Sequence, residues 1–284
     1  MDFIPEKLLV VSGGGAYPKM LIDGARRAGV RRIELIAVRG STERAAAAAA
    51  DEAHWIRLNG IFDALEWSKS RGYDGAILVG QINPLSLFSA VFDEHVRAWL
   101  DAMPSKNAHA VYGKLTEEFE SRGVRIFPAS SFMDGHLPGE GVMTSRAPTD
   151  REWGDIRHAS EVARDVGRHD VGQTVLVKDG MVLAVEAFEG TNAAIKRGGK
   201  LGGKGSTVFK AAREGHDMRF DIPVVGMKTL KQMKKAGATV LAFQAGRLVM
   251  LERDDIVRYA NAHGISVVGV KTDLPPAPLR PERV

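Results

Sequence analysis

The chain has 284 residues, 44% of them hydrophobic and 26% charged, with a formal charge of +4 and no cysteine. That length suits two ordinary domains, and the lack of cysteine excludes disulfides, thiolate zinc sites and cysteine nucleophiles. The small positive balance favours anionic partners, although by itself it describes an ordinary solvated surface.

No window reaches the roughly 20 apolar residues of a membrane-spanning helix. Asp2 and Glu6 precede the first apolar run without the basic flank of a secretory signal. A cytoplasmic protein with at most peripheral membrane contact is expected.

Strand-like runs at residues 8–11, 33–38, 54–58, 76–79 and 124–127 alternate with helical stretches at 19–28, 41–51, 61–71, 86–100 and 106–122. Such β-α alternation implies a mainly parallel sheet covered on both faces, here a doubly wound, Rossmann-like α/β domain over residues 1–133. The alanines at 45–50 continue a helix that Thr42 and Glu43 can start and that packs on the sheet. Glycine and proline punctuate residues 134–153, which are expected to be a linker. Residues 154–284 are expected to form a second, catalytic α/β domain with a mixed sheet. Asp179-Gly180 predicts a type I′ hairpin between 173–178 and 181–185. A second hairpin at Ala245-Gly246 would join 239–243 to 248–251. Helices at 230–236 and 253–263 and a strand at 265–270 complete the domain, and the tail from Asp273 is expected to be loosely ordered.

Several motifs bear on chemistry. The loop from Ser12 to Pro18 follows the first strand and opens a helix, so backbone amides near Gly14, Gly15 and Ala16 can approach a phosphate or ribose. It lacks the complete dinucleotide fingerprint, which leaves an oxidoreductase weakly supported. Gly80-Gln81-Ile82-Asn83-Pro84 follows another parallel strand and would open on the same edge, where Gln81 and Asn83 can bond a base or sugar; an ordinary Asn-Pro turn is the alternative. The run from Gly198 to Thr207 resembles a P-loop, but Gly205 stands where Ser or Thr is required, so a mobile cationic loop or hairpin is expected instead. Residues 182–192 look like a buried strand ending in a glycine-opened turn at Glu189-Gly190-Thr191-Asn192.

Asp217, Arg219 and Asp221 share one face if extended, and a bound Mg²⁺ or Mn²⁺ would relieve the repulsion of the two carboxylates. A salt-bridged strand edge is the competing reading. No histidine pair has zinc-ligand spacing, and no serine occupies a Gly-x-Ser-x-Gly elbow.

With these segments in view, the chain resembles the LpxI-type UDP-2,3-diacylglucosamine pyrophosphatases over nearly its full length. The likeness rests on the Ser12 to Pro18 loop, residues 80–84 and 128–133, Gly180 to Thr191, Lys210-Ala211-Ala212 and Asp217 through Gly226. Of these, Glu-Ala-x-Glu-Gly-Thr and Asp-x-Arg-x-Asp-hydrophobic-Pro are the specific ones. The resemblance implies a Mg²⁺- or Mn²⁺-dependent hydrolase that yields UMP and 2,3-diacylglucosamine 1-phosphate in lipid A synthesis. It also implies two tethered domains, a homodimer, cytoplasmic location and no nucleic-acid partner. Asp221 would then be essential to turnover, with Asp217 beside it as a metal ligand and Arg219 or Lys210 steadying the departing phosphate. Asn192 stands where the family commonly has aspartate, which supplies a metal with less charge. A non-catalytic nucleotide or phospholipid binder of the same fold is the rival reading.

Overall fold

The computed structural model describes residues 3–81, 92–103, 108–212, 219 and 222–271; the C-terminal tail lies outside them. The chain divides into two units. One contains the described residues up to Asp134 together with Arg219 and Ile222, and the other begins at Gly135 and resumes at Pro223.

Strands that are apolar on both faces need helices on both sides of their sheet, and the first unit supplies them. It runs β1 (Lys7–Ser12), α1 (Tyr17–Ala28), β2 (Arg32–Val38), α2 (Arg44–Ala49), β3 (Glu52–Ile56), α3 (Ile61–Lys69), β4 (Gly75–Val79), α4 (Glu94–Asp101) and α5 (Ala108–Ser121). The strands are all parallel in the order β3-β2-β1-β4. Leu9, Val11, Ile36, Val38, Ala76 and Leu78 point to the side covered by α3, α4 and α5. The alternate residues Leu8, Val10, Ile33, Leu35 and Ile77 are equally buried. The run at 124–127 joins the sheet through a single parallel bridge, Ile126 to Ala76. The alanine helix is short, buries Ala46 and packs against α1.

Glu34 on β2 has no exposed surface. Tyr73 Oη donates to it at 2.6 Å, Arg71 Nη1 and Arg32 Nε each at 2.7 Å, and Lys7 Nζ lies at 3.2 Å. Burial pushes this carboxyl up, but the four donors outweigh it and bring the pKa down to about 2.

The second unit comprises β5 (Gly141–Val142), α6 (Asp150–Gly167), β6 (Thr174–Lys178), β7 (Met181–Val185), α7 (Thr191–Gly202), β8 (Thr207–Lys210), β9 (Val224–Val225), α8 (Met227–Ala236), β10 (Val240–Gln244), β11 (Val249–Met250), α9 (Arg253–Ala262) and β12 (Ser266–Val270). Its mixed sheet has the order β5-β12-β10-β8-β6-β7. Leu176, Val208, Leu241, Phe243 and Val267 face α7, α8 and α9. Val175, Val177, Phe209, Val240 and Val268 face α6. The stretch at 134–153 holds β5, paired antiparallel to β12, and the first turn of α6. That turn is closed by a capping box between Thr149 and Glu152.

The Asp179-Gly180 hairpin forms, with φ of 53° and 74° as a type I′ turn requires. Asp155 accepts the turn's N–H groups, at 2.7 Å from Gly180 and 3.2 Å from Asp179. The second expected hairpin does not form. β10 is buried on both faces between parallel neighbours β8 and β12, while β11 pairs with β9 in a separate two-stranded sheet. The expected cationic loop at 198–207 is corrected too, because its first five residues are the end of α7. Its glycines serve packing: a Cβ at Gly198 would lie 2.6 Å from Leu176 Cδ2, and one at Gly202 2.3 Å from Leu183 Cδ1. β7 is an edge strand with Val182 40% exposed, so the strand expected to be buried is covered on fewer sides than its apolar run implied.

Candidate active site

In a doubly wound sheet ligands bind at the carboxyl ends of the strands where the strand order reverses. In the first unit that point lies between β1 and β4, and the two loops expected to share an edge meet there. Gly14 N–H donates to Gln81 O at 2.7 Å, Gln81 N–H returns to Gly14 O at 3.1 Å, and Gly13 N–H donates to Val79 O at 2.8 Å. The approach is too close for side chains: a Cβ at Gly13 would lie 2.6 Å from Gln81 O, and one at Gly80 2.9 Å from the Gly13 carbonyl carbon.

Gly15 turns the chain with φ of 89° and leaves open space around itself. Gly15 and Ala16 are exposed at the start of α1, whose N-terminus has no side-chain cap and carries Pro18 in its first turn. Uncapped amides and the positive end of the helix dipole are the groups that hold a phosphate. The backbone of Gln81 is consumed by the bridge to Gly14, and its side chain is exposed. Asn83 lies outside the described residues.

The second unit gathers a polar chain at the start of α7. Lys210, at the end of β8 and 6% exposed, donates from Nζ to Thr191 Oγ1 at 2.8 Å. Thr191 in turn donates to Glu186 Oε1 at 2.9 Å, with the Thr174 hydroxyl at 3.4 Å. Glu186 Oε2 is buried and has no hydrogen-bond partner among the described residues. Gly190, with φ of 81°, is the N-cap of α7 and provides no side-chain cap, and Asn192 is exposed in the first turn. A buried ammonium beside uncapped helix amides favours a phosphate oxygen.

Glu189 takes a different position from its neighbours. Arg197 Nη2 donates to its Oε1 at 2.6 Å, and Ala187 N–H donates to Oε2 at 3.1 Å. Its carboxyl is held below the usual range, chiefly by that Arg197 bond. Glu189 therefore braces the Glu-Gly-Thr turn, and Glu186 is the carboxylate that reaches Thr191. Sequence reasoning left Glu186 out of the site, although it is the first glutamate of the Glu-Ala-x-Glu-Gly-Thr segment.

Arg219 belongs to the first unit and pairs with Glu120 of α5 at 2.8 Å. Asp217 and Asp221, the expected metal ligands, lie outside the described residues. Among the described residues no three His, Asp or Glu side chains come together as a metal centre.

The profile of the LpxI N-terminal domain matches residues 7–136, and that of the LpxI C-terminal domain matches residues 139–268. The chain belongs to the LpxI family. The UDP-2,3-diacylglucosamine pyrophosphatase LpxI of Caulobacter vibrioides is 29% identical to it over 283 residues, an alignment covering 93% of this chain and 98% of that protein. The LpxI N-terminal match contains the glycine loop and Gln81, and the LpxI C-terminal match contains Glu186, Thr191 and Lys210. No described helix is long and apolar enough to cross a membrane.

Proposed function

We propose that the chain hydrolyses UDP-2,3-diacylglucosamine at its pyrophosphate bond, releasing UMP and 2,3-diacylglucosamine 1-phosphate in the synthesis of lipid A. The observation that carries this reading is the part-buried hydrogen-bond chain from the buried Lys210 through Thr191 to Glu186 at the start of α7, within a chain that matches both LpxI domains. Water adds to one phosphorus, the bridging P–O bond breaks, and the water protons end on the two phosphate products or in solvent. Lys210 offsets the charge that develops on the departing phosphate oxygen. Thr191 fixes the position of the lysine by accepting from it, and Glu186 fixes the Thr191 hydroxyl.

Asp217 and Asp221 are proposed to hold Mg²⁺ or Mn²⁺, which when bound neutralises pyrophosphate charge and acidifies water. The loop at Gly14, Gly15 and Ala16, with Gln81, is proposed to take the UDP moiety. Cytoplasmic location and a homodimer follow from the same family resemblance.

The test is to incubate purified protein with UDP-2,3-diacylglucosamine, with and without Mg²⁺ or Mn²⁺, and follow UMP by mass spectrometry. Metal-dependent UMP together with the matching lipid phosphate is expected. Binding of the substrate with no product under either metal would overturn hydrolysis in favour of a non-catalytic binder.

A further inference from the structure

The second unit carries its positive charge very unevenly. Neither α7 nor α8 contains an aspartate or glutamate. The two helices lie side by side, close enough that a Cβ at Gly199 would be 2.6 Å from Ala236 Cβ. Just beyond their ends, Gly205 N–H donates to Gly237 O at 2.8 Å. Ile195, Leu230 and Met233 turn inward to a common core.

The outward residues are cationic. Lys196, Lys200 and Lys204 in and just after α7, and Lys228, Lys231, Lys234 and Lys235 on α8, are all exposed. Arg197, also exposed on α7, pairs with Glu189, whereas none of the seven lysines has a carboxylate partner among the described residues. Leu201, 68% exposed, stands among them one turn after Arg197. Solvated faces usually intersperse acids to limit self-repulsion, as α9 of the same helical layer does with Asp254 and Asp255. Two adjacent helices without a single acid present a broad cationic plane instead, and that arrangement complements a sheet of negative charge.

We infer that the α7–α8 face docks the protein on a bilayer surface carrying anionic lipid headgroups. The choice of a bilayer over another polyanion rests on the lipid substrate proposed above and on Leu201, which offers an apolar contact at headgroup depth. Because α7 begins at Thr191, docking through this face brings the helix that carries the phosphate-binding groups to the membrane surface.

The test is co-flotation of the full chain, without substrate, with phosphatidylcholine vesicles that either contain or lack phosphatidylglycerol. Binding to the anionic vesicles only, and its loss at high salt, is expected. Lys200→Glu, Lys231→Glu and Lys234→Glu combined should lower the partition coefficient by about a hundred-fold or more, since each lysine near an anionic surface contributes roughly five-fold. The same triple variant should keep its thermal melt and, if the hydrolytic reading holds, its turnover of detergent-dispersed substrate. Equal binding to both vesicle types, no binding to either, or an unaffected variant would overturn the inference. So would tighter binding to duplex DNA than to anionic vesicles at the same salt. Vesicle binding requires no catalysis, so it can fail while UMP release succeeds, and the reverse.

Discussion

Two buried charges, one in each unit, have opposite uses. Lys210 ends β8 with its ammonium beside the first residue of α7, where an anion is favoured, and its Nζ is positioned by Thr191. Lys210→Met keeps the length of the side chain and removes the charge. It should lower kcat by about a hundred- to a thousand-fold while leaving the thermal melt close to that of the parent, as paired kinetic and calorimetric runs would show. Glu34 is far from any such role and is held by Tyr73, Arg32, Arg71 and Lys7. Glu34→Ala strands these donors around an apolar side chain and should cost about 3–5 kcal/mol of stability, measurable by urea titration. The sign of its pH dependence follows from its depressed folded-state pKa of about 2. The unfolded chain takes up the proton first, so the contribution of Glu34 is complete above the ordinary carboxylate range and is lost as pH falls through that range toward 2. Glu34→Gln should flatten the fall in stability over that interval.

At the level of elements, α7 shows what sequence patterning could and could not reveal. Its glycines at 198, 199 and 202 lower helix propensity, so the segment resembles a loop until the packing is seen. Gly199 is needed because Ala236 of α8 occupies the space a side chain would fill. Gly199→Val should therefore cost about 1–3 kcal/mol through overpacking, detectable as a lowered midpoint in chemical denaturation. By contrast, the β-α alternation of the first unit was legible because both sheet faces are apolar, and the Asp179-Gly180 turn because its dipeptide demands positive φ. The false hairpin at Ala245-Gly246 arose because a turn signal reports a reversal without saying which strands pair, and β10 is satisfied by β8 and β12. The site was legible in part. Thr191 and Lys210, both singled out in the sequence, do meet in the structure, whereas Glu189 turns to Arg197 and Glu186 is the glutamate that reaches Thr191, which sequence spacing alone does not show. The capping box at Thr149 and Glu152 was present in the sequence as Thr-x-x-Glu and would have located the start of α6.

For the whole molecule, the proposed chemistry requires a divalent cation at Asp217 and Asp221. Exhaustive chelation should abolish UMP release, and added Mg²⁺ or Mn²⁺ should restore it, as a discontinuous assay would record; activity persisting in the chelated protein would refute the metal assignment. The units also differ in how the chain supplies them, because Arg219 and Ile222 return to the first unit after much of the second has been made. On a ribosome, Ile222 emerges 222 − 134 = 88 residues after Asp134, a delay of roughly 4–18 s at ordinary elongation rates. A nascent chain released before that point, like a gene cut after codon 134, would lack Arg219 and Ile222 of the first unit. Co-expressing the two gene pieces is consequently a poorer route to isolated domains here than the two tandem family matches would lead an experimenter to assume.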